Sequence, residues 1–169
     1  MKNQGGFATF EVILAVIIIS VLAFVAVPKI DRVVDKIALD YEMKRLCSEI
    51  EFASSLNRSA GFDSEIFQAK ITAAKNEITL DIDEENNSWR LSRDTTSLRD
   101  RHYLFAGIKI RCSTENVKHI AFSPNGVYKP KSVLNSPSAG TITLTSRHGE
   151  TAEIVFDTVG RWRGNRNID

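Results

Sequence analysis

Few side chains in this sequence are arranged to do chemistry. The three histidines, His102, His119 and His148, lie far apart and form no HExxH or comparable metal spacing. Asp81, Asp83, Glu84 and Glu85 cluster, but they run into Asn86-Asn87, which is the composition of a solvated turn. No GxSxG, phosphate-loop or dinucleotide fingerprint occurs. Two features remain. Glu11 stands at the start of an apolar run, where a carboxylate costs about 2.5–3.5 kcal/mol on insertion scales unless it is interfacial or paired. Near the other end, Gly160-Arg161-Trp162-Arg163-Gly164-Asn165-Arg166 sets three guanidiniums around an indole, groups suited to phosphate contact and base stacking. Neither is a catalytic constellation. The sequence predicts no enzyme, no metal and no cofactor; the rival class, a membrane-anchored exported enzyme, has no motif to carry it.

The elements that position these residues follow from the hydropathy pattern. From Val12 to Val27 the only non-apolar residue is Ser20, and Pro28-Lys29 ends the run. That run is shorter than the ~20 residues a helix needs to span a bilayer; starting at Phe7 makes it long enough and encloses Glu11. Lys2 precedes the run, which predicts a cytoplasmic N-terminus and an exported remainder. A cleaved secretory signal, with Val21-Leu22-Ala23 as its small-residue site, and a plain signal anchor are also compatible with the run. Neither gives Glu11 a role.

Helical spacing continues past Pro28 with a change of face. Ile30, Val33, Val34, Ile37 and Tyr41 form one stripe, and Leu39, Met43, Leu46, Ile50 and Ala53 a second. Ile37 and Leu39 are about 200° apart, so the stripes oppose each other. The lower stripe is expected to meet neighbouring helices and the upper one the chain's own domain; a bend or domain packing that rotates the face is the alternative. Gly61 suits the end of this helix.

Beyond it the period becomes two. Ile78-Leu80-Ile82, Trp89-Leu91, Ile108-Ile110-Cys112, Ile142-Leu144 and Ala152-Ile154-Phe156 are alternate apolar sets. Turn chemistry separates them at Glu85-Asn86-Asn87, Pro124-Asn125-Gly126, Pro137 to Gly140 and His148-Gly149-Glu150. Seven or eight short antiparallel strands, covered by the upper helix, are expected. Cys112 falls on the inward face of its strand, and Cys47 lies about 80° from Leu39 around the helix. A Cys47–Cys112 disulfide is geometrically open and would close a loop of about 65 residues, worth about 4 kcal/mol on a chain-entropy account. The alternative is two buried free thiols. With 43% hydrophobic residues, 25% charged and a net charge of +1, the chain has an ordinary globular composition and no global basic field.

Gly6-Phe7-Ala8-Thr9-Phe10-Glu11 followed by the apolar run resembles the prepilin cleavage pattern of type IV pilins and type II secretion pseudopilins. The resemblance implies cleavage between Gly6 and Phe7 by a prepilin peptidase, N-methylation of Phe7, and a role for Glu11 in filament assembly. It divides the chain into a leader (1–6), a transmembrane helix half (7–28), an amphipathic helix half (29–60) and a β domain (61–169). Ala8-Thr9 departs from the commoner Thr-Leu. In the C-terminal half, Ile120 to Gly126, Gly140-Thr141-Ile142-Thr143-Leu144, Glu153-Ile154-Val155-Phe156 and Gly160-Arg161 follow an order similar to the GspH/FimT family. That family implies an α+β fold, a long N-terminal helix packed on two antiparallel sheets. It also implies a non-catalytic subunit of a type IV pilus or type II secretion pseudopilus, stored in the cytoplasmic membrane, with other pilins or pseudopilins as partners. The Gly-Arg-Trp-Arg segment further resembles the element by which FimT-like pilins bind DNA, with Arg161, Trp162, Arg163 and Arg166 as the candidate contacts, extended by Lys129 and Lys131. A solvated basic end is the alternative.

Overall fold

A computed structural model of the chain describes residues 5–62, 78–93, 96–122, 128–130, 140–157 and 161–167. Helix α1 runs unbroken over Gly5–Phe62, 58 residues, or about 87 Å at 1.5 Å per residue. Pro28 lies inside it; its missing N–H removes one intrahelical bond without ending the helix. Lacking a basic last turn or an acidic first one, α1 depends on tertiary packing for much of its length.

Among the described residues ten strands follow, all paired antiparallel: β1 (Ile78–Asp83), β2 (Ser88–Arg93), β3 (Thr96–Ser97), β4 (His102–Tyr103), β5 (Lys109–Cys112), β6 (His119–Phe122), β7 (Tyr128–Pro130), β8 (Gly140–Thr145), β9 (Thr151–Phe156) and β10 (Trp162–Asn167). They make two sheets. One has the order β3-β2-β1-β6-β7, with β4 also on β2; the other has the order β10-β9-β8-β5. The expected α+β architecture of a long N-terminal helix on two antiparallel sheets is the one observed. The strand count exceeds the seven or eight expected, because β3 and β4 are two residues each and β7 ends in a proline. Such segments carry no period.

The β1–β2 turn spans Glu84 to Asn87, with Asn87 at φ 46° and the Asp83 carboxylate accepting from both nitrogens of Asn86. The β8–β9 turn uses Gly149 at φ 86°, a backbone region that favours glycine. The turns expected at 124–126 and 137–139, the start of the leader (1–4), Lys131 and Gly160 lie outside the described residues. The core forms where the upper stripe of α1, Leu39, Leu46, Ile50 and Ala53, meets Ile78, Leu80 and Ile120 of one sheet and Ile110, Leu144 and Ile154 of the other.

Candidate functional site

The two faces of α1 separate as their spacing predicts. Leu39, Leu46, Ile50 and Ala53 are fully buried, while Ile30, Val33, Val34, Ile37 and Tyr41 are exposed, Ile37 by 65%. Below them every described apolar side chain from Phe10 to Val27 is exposed. Among the described residues, α1 is the helix long and apolar enough to cross a membrane, with mean hydropathy 3.0 in its most apolar stretch and none of that stretch buried. Gly6 and Phe7 lie in its first turns, and Glu11 is exposed one turn after Phe7. The helix therefore presents two apolar surfaces, and its own domain covers one.

The buried face also carries acids. Asp35, Glu42 and Glu49 are 7%, 0% and 4% exposed and recur every seven residues, which returns them to nearly one line along the helix. Each is met by the domain. Asp35 Oδ2 lies 2.8 Å from His148 Nδ1 in the β8–β9 turn, and Arg147 of the same turn approaches to 3.8 Å. Glu42 accepts from Phe105 N at 3.1 Å and pairs with His102 Nε2 at 2.7 Å, the His102 ring resting 4.4 Å from that of Trp89. Glu49 Oε1 pairs with Arg99 at 2.6 Å, and Arg99 also covers the Phe52 ring at 4.5 Å. Lys36–Glu150 at 3.1 Å adds a half-buried pair beside the first of these. Buried carboxylates are tolerable when hydrogen-bonded and paired in this way. The sequence reading missed this row; its signal was the seven-residue spacing of acids flanking the upper stripe.

From Trp162 to Asn167 the C-terminal arginine segment is a strand. β10 pairs with β9 over its whole length, Trp162 opposite Phe156 and Asn167 opposite Thr151. Trp162 is half-buried and packs on the core, so the indole expected to meet a base is already engaged. Arg161 closes the β9–β10 connection: its N–H and its guanidinium both donate to the Asp157 carboxylate, at 2.8 and 2.9 Å. Arg163 is exposed and, among the described residues, makes no ion pair. Arg166 stands opposite Ala152 in register, and Lys129 opposite Ala121 in β7. Gly164 has a packing reason: a Cβ there would stand 2.6 Å from Met43 Cε on α1 and 3.5 Å from Cys47 Sγ.

The disulfide left open by the sequence is not formed. Both thiols are free. Cys47 faces Gly164 on β10, whereas Cys112 is on β5, at the opposite edge of the same four-stranded sheet. Three strand spacings of about 4.8 Å separate those edges, beyond the reach of an S–S bond. Burial pushes the Cys47 thiol up to about 11, helped by the nearby Glu51 charge, and the Cys112 thiol to about 12, helped by Glu84.

The acidic cluster around the β1–β2 turn has structural partners. Asp81 pairs with His119 at 2.9 Å and Asp83 with Arg101 at 2.7 Å; Glu84 accepts from Cys112 N and pairs with Lys118 at 3.1 Å. Hydrogen bonds from Asn86 hold the Asp83 carboxyl below its usual value, and the bond from Cys112 N does the same for Glu84. Asp81, Asp83, Glu84, Arg101, Lys118 and His119, together with Arg90, line an open depression of about 770 Å³. Among the described residues no three His, Cys, Asp or Glu side chains are grouped to hold a metal.

No protein-family model matches the chain, and no curated protein sequence matches it. Among solved structures it is similar to the minor pseudopilin EpsH from the type 2 secretion system of Vibrio cholerae, with a TM-score of 0.54 over 76% of this chain and 96% of that one. The fold is pilin-like. At 8% identity the likeness is one of fold alone.

Proposed function

We propose that this chain is a minor pilin or pseudopilin of the GspH/FimT type, a non-catalytic subunit of a type IV pilus or type II secretion pseudopilus. The observation that carries the reading is the second apolar face of α1. Ile30, Val33, Val34 and Ile37 continue the exposed apolar segment upward, opposite the face the domain covers, and Tyr41 at the upper end of this stripe meets Phe105 of the domain edge-on. A helix with that surface has lipid as its partner before assembly and other helices after it.

In this reading a prepilin peptidase removes Met1–Gly6, Phe7 is methylated, residues 7–28 hold the chain in the cytoplasmic membrane, and the domain from 61 onward is exported. Glu11 then sits one turn from the new amine at Phe7, and an amine–carboxylate pair between neighbouring subunits keeps both charges partnered in a low-dielectric fibre. The test is the mass of the chain recovered from cells that express a prepilin peptidase. The expected product begins at Phe7 and carries one added methyl group, and Gly6→Leu retains the leader. A product that starts at Met1, or is cut near Ala23, overturns the reading.

The DNA-uptake alternative draws less support from the arrangement of the arginine segment than from its composition. Trp162 is packed inward and Arg161 is paired with Asp157, which leaves Arg163 as the exposed cation of that segment without an ion pair among the described residues.

A further inference from the structure

The two sheets present four edges, and three are blunted. On the six-stranded sheet, one edge is divided between the two-residue strands β3 and β4, and the other, β7, contains Pro130. On the four-stranded sheet, the outward N–H groups of β5 are capped by side chains from the β1–β2 turn: Ile110 N donates to Asn87 Oδ1 at 3.1 Å and Cys112 N to Glu84. Short strands, proline and side-chain caps all keep edges from recruiting another chain. Among the described residues the fourth edge, β10, has none of them: six residues, no proline, and a continuous register against β9.

The register gives the direction of its backbone groups. Asp157 N donates to Arg161 O at 2.9 Å, which makes 157/161 a hydrogen-bonded pair. Such pairs alternate along an antiparallel ladder, so 163/155, 165/153 and 167/151 bond across to β9. The N–H and C=O groups of Trp162, Gly164 and Arg166 therefore point to the open side. Among the described residues no strand pairs there. The side chains alternate as well. Trp162 and Gly164 face α1, and Arg163 and Asn165 are exposed on the outer face.

We propose that the outer edge of β10 binds an extended peptide segment of another protein that carries carboxylates at alternate positions, by strand addition. The open N–H and C=O groups supply main-chain hydrogen bonds, and Arg163 supplies a charge that the added strand meets on the outer face. A second copy of this chain fits poorly, since pairing β10 with β10 brings together two segments that each hold Arg161, Arg163 and Arg166.

The test titrates the full-length chain in detergent micelles with a fluorescein-labelled peptide of alternating glutamate and valine, followed by anisotropy. Gly164→Pro deletes an outward N–H while sparing the 163 and 165 bonds to β9. Gly164→Ala brings the same new Cβ against Met43 and keeps the N–H. Saturable binding is expected for the unaltered chain and for Gly164→Ala, weakened roughly tenfold or more in Gly164→Pro. Arg163→Glu is an exposed change that decides the matter if Gly164→Pro does not fold: it is expected to shift preference to the lysine counterpart of the peptide. The proposal is overturned if the unaltered chain does not bind, if the two Gly164 variants bind alike, or if Arg163→Glu keeps its preference for glutamate. A single-stranded oligonucleotide that displaces the peptide, and that binds both Gly164 variants equally, would assign the strand to phosphate contact and also overturn it.

Discussion

Asp35, Glu42 and Glu49 are carboxylates that α1 removes from water and the domain returns to partnership, one with each of three separate loops or strands. Glu42 is the most enclosed, holding both a backbone N–H and an imidazole. Glu42→Ala leaves both groups without their acceptor, and a loss of about 3 kcal/mol is expected, read from the urea midpoint by Trp89 fluorescence. Glu42→Gln retains an acceptor and is expected to lose less. The two thiols give a prediction of a different kind. With folded values near 11 and 12 against an ordinary 9.0, the folded chain keeps protons that the unfolded chain releases. Their contribution to stability is therefore complete below about pH 9 and declines as pH rises toward 11–12. At pH 8 both should alkylate slowly in native protein and rapidly in urea, as mass spectrometry would report.

At the scale of elements, the proposed fibre role assigns stability to one face of α1 and assembly to the other. Leu46→Ala removes fully buried packing and is expected to cost about 2–5 kcal/mol. Ile37→Ala should change domain stability by no more than about 0.5 kcal/mol while lowering incorporation into fibres, measured on sheared fractions. This division was legible in the sequence because Ile37 and Leu39 sit on opposed stripes of regular spacing. The five alternate apolar sets were legible for the same reason, and each lies in or beside one of β1, β2, β5, β8 and β9. β10 was not. Trp162-Arg163-Gly164-Asn165-Arg166-Asn167 offers no apolar alternation and one strand-favouring residue, and it becomes a strand because β9 pairs with it and Gly164 fits against Met43. The acid row was visible as a spacing yet unreadable as buried, since acids on a helix ordinarily face water and the partners His102 and His148 are more than fifty residues away in sequence.

For the molecule as a whole, the proposed fibre role predicts that Glu11→Ala leaves the domain's unfolding unchanged and reduces incorporation into the fibre, since Glu11 lies far along α1 from every sheet contact. Immunoblots of sheared fibre and membrane fractions would separate the two outcomes; equal incorporation would remove Glu11 from assembly. The row of acids has a mechanical consequence in such a fibre. Asp35, Glu42 and Glu49 are spaced about 10 Å apart along the axis of α1, and each is gripped sideways by the domain. A tug along the helix axis therefore strains the three grips together, in shear and in parallel, instead of peeling them apart one after another. The resistance of the domain to being stripped from its helix is set by their sum, so weakening any one of them should lower the rupture force by a share and leave the remaining two to hold.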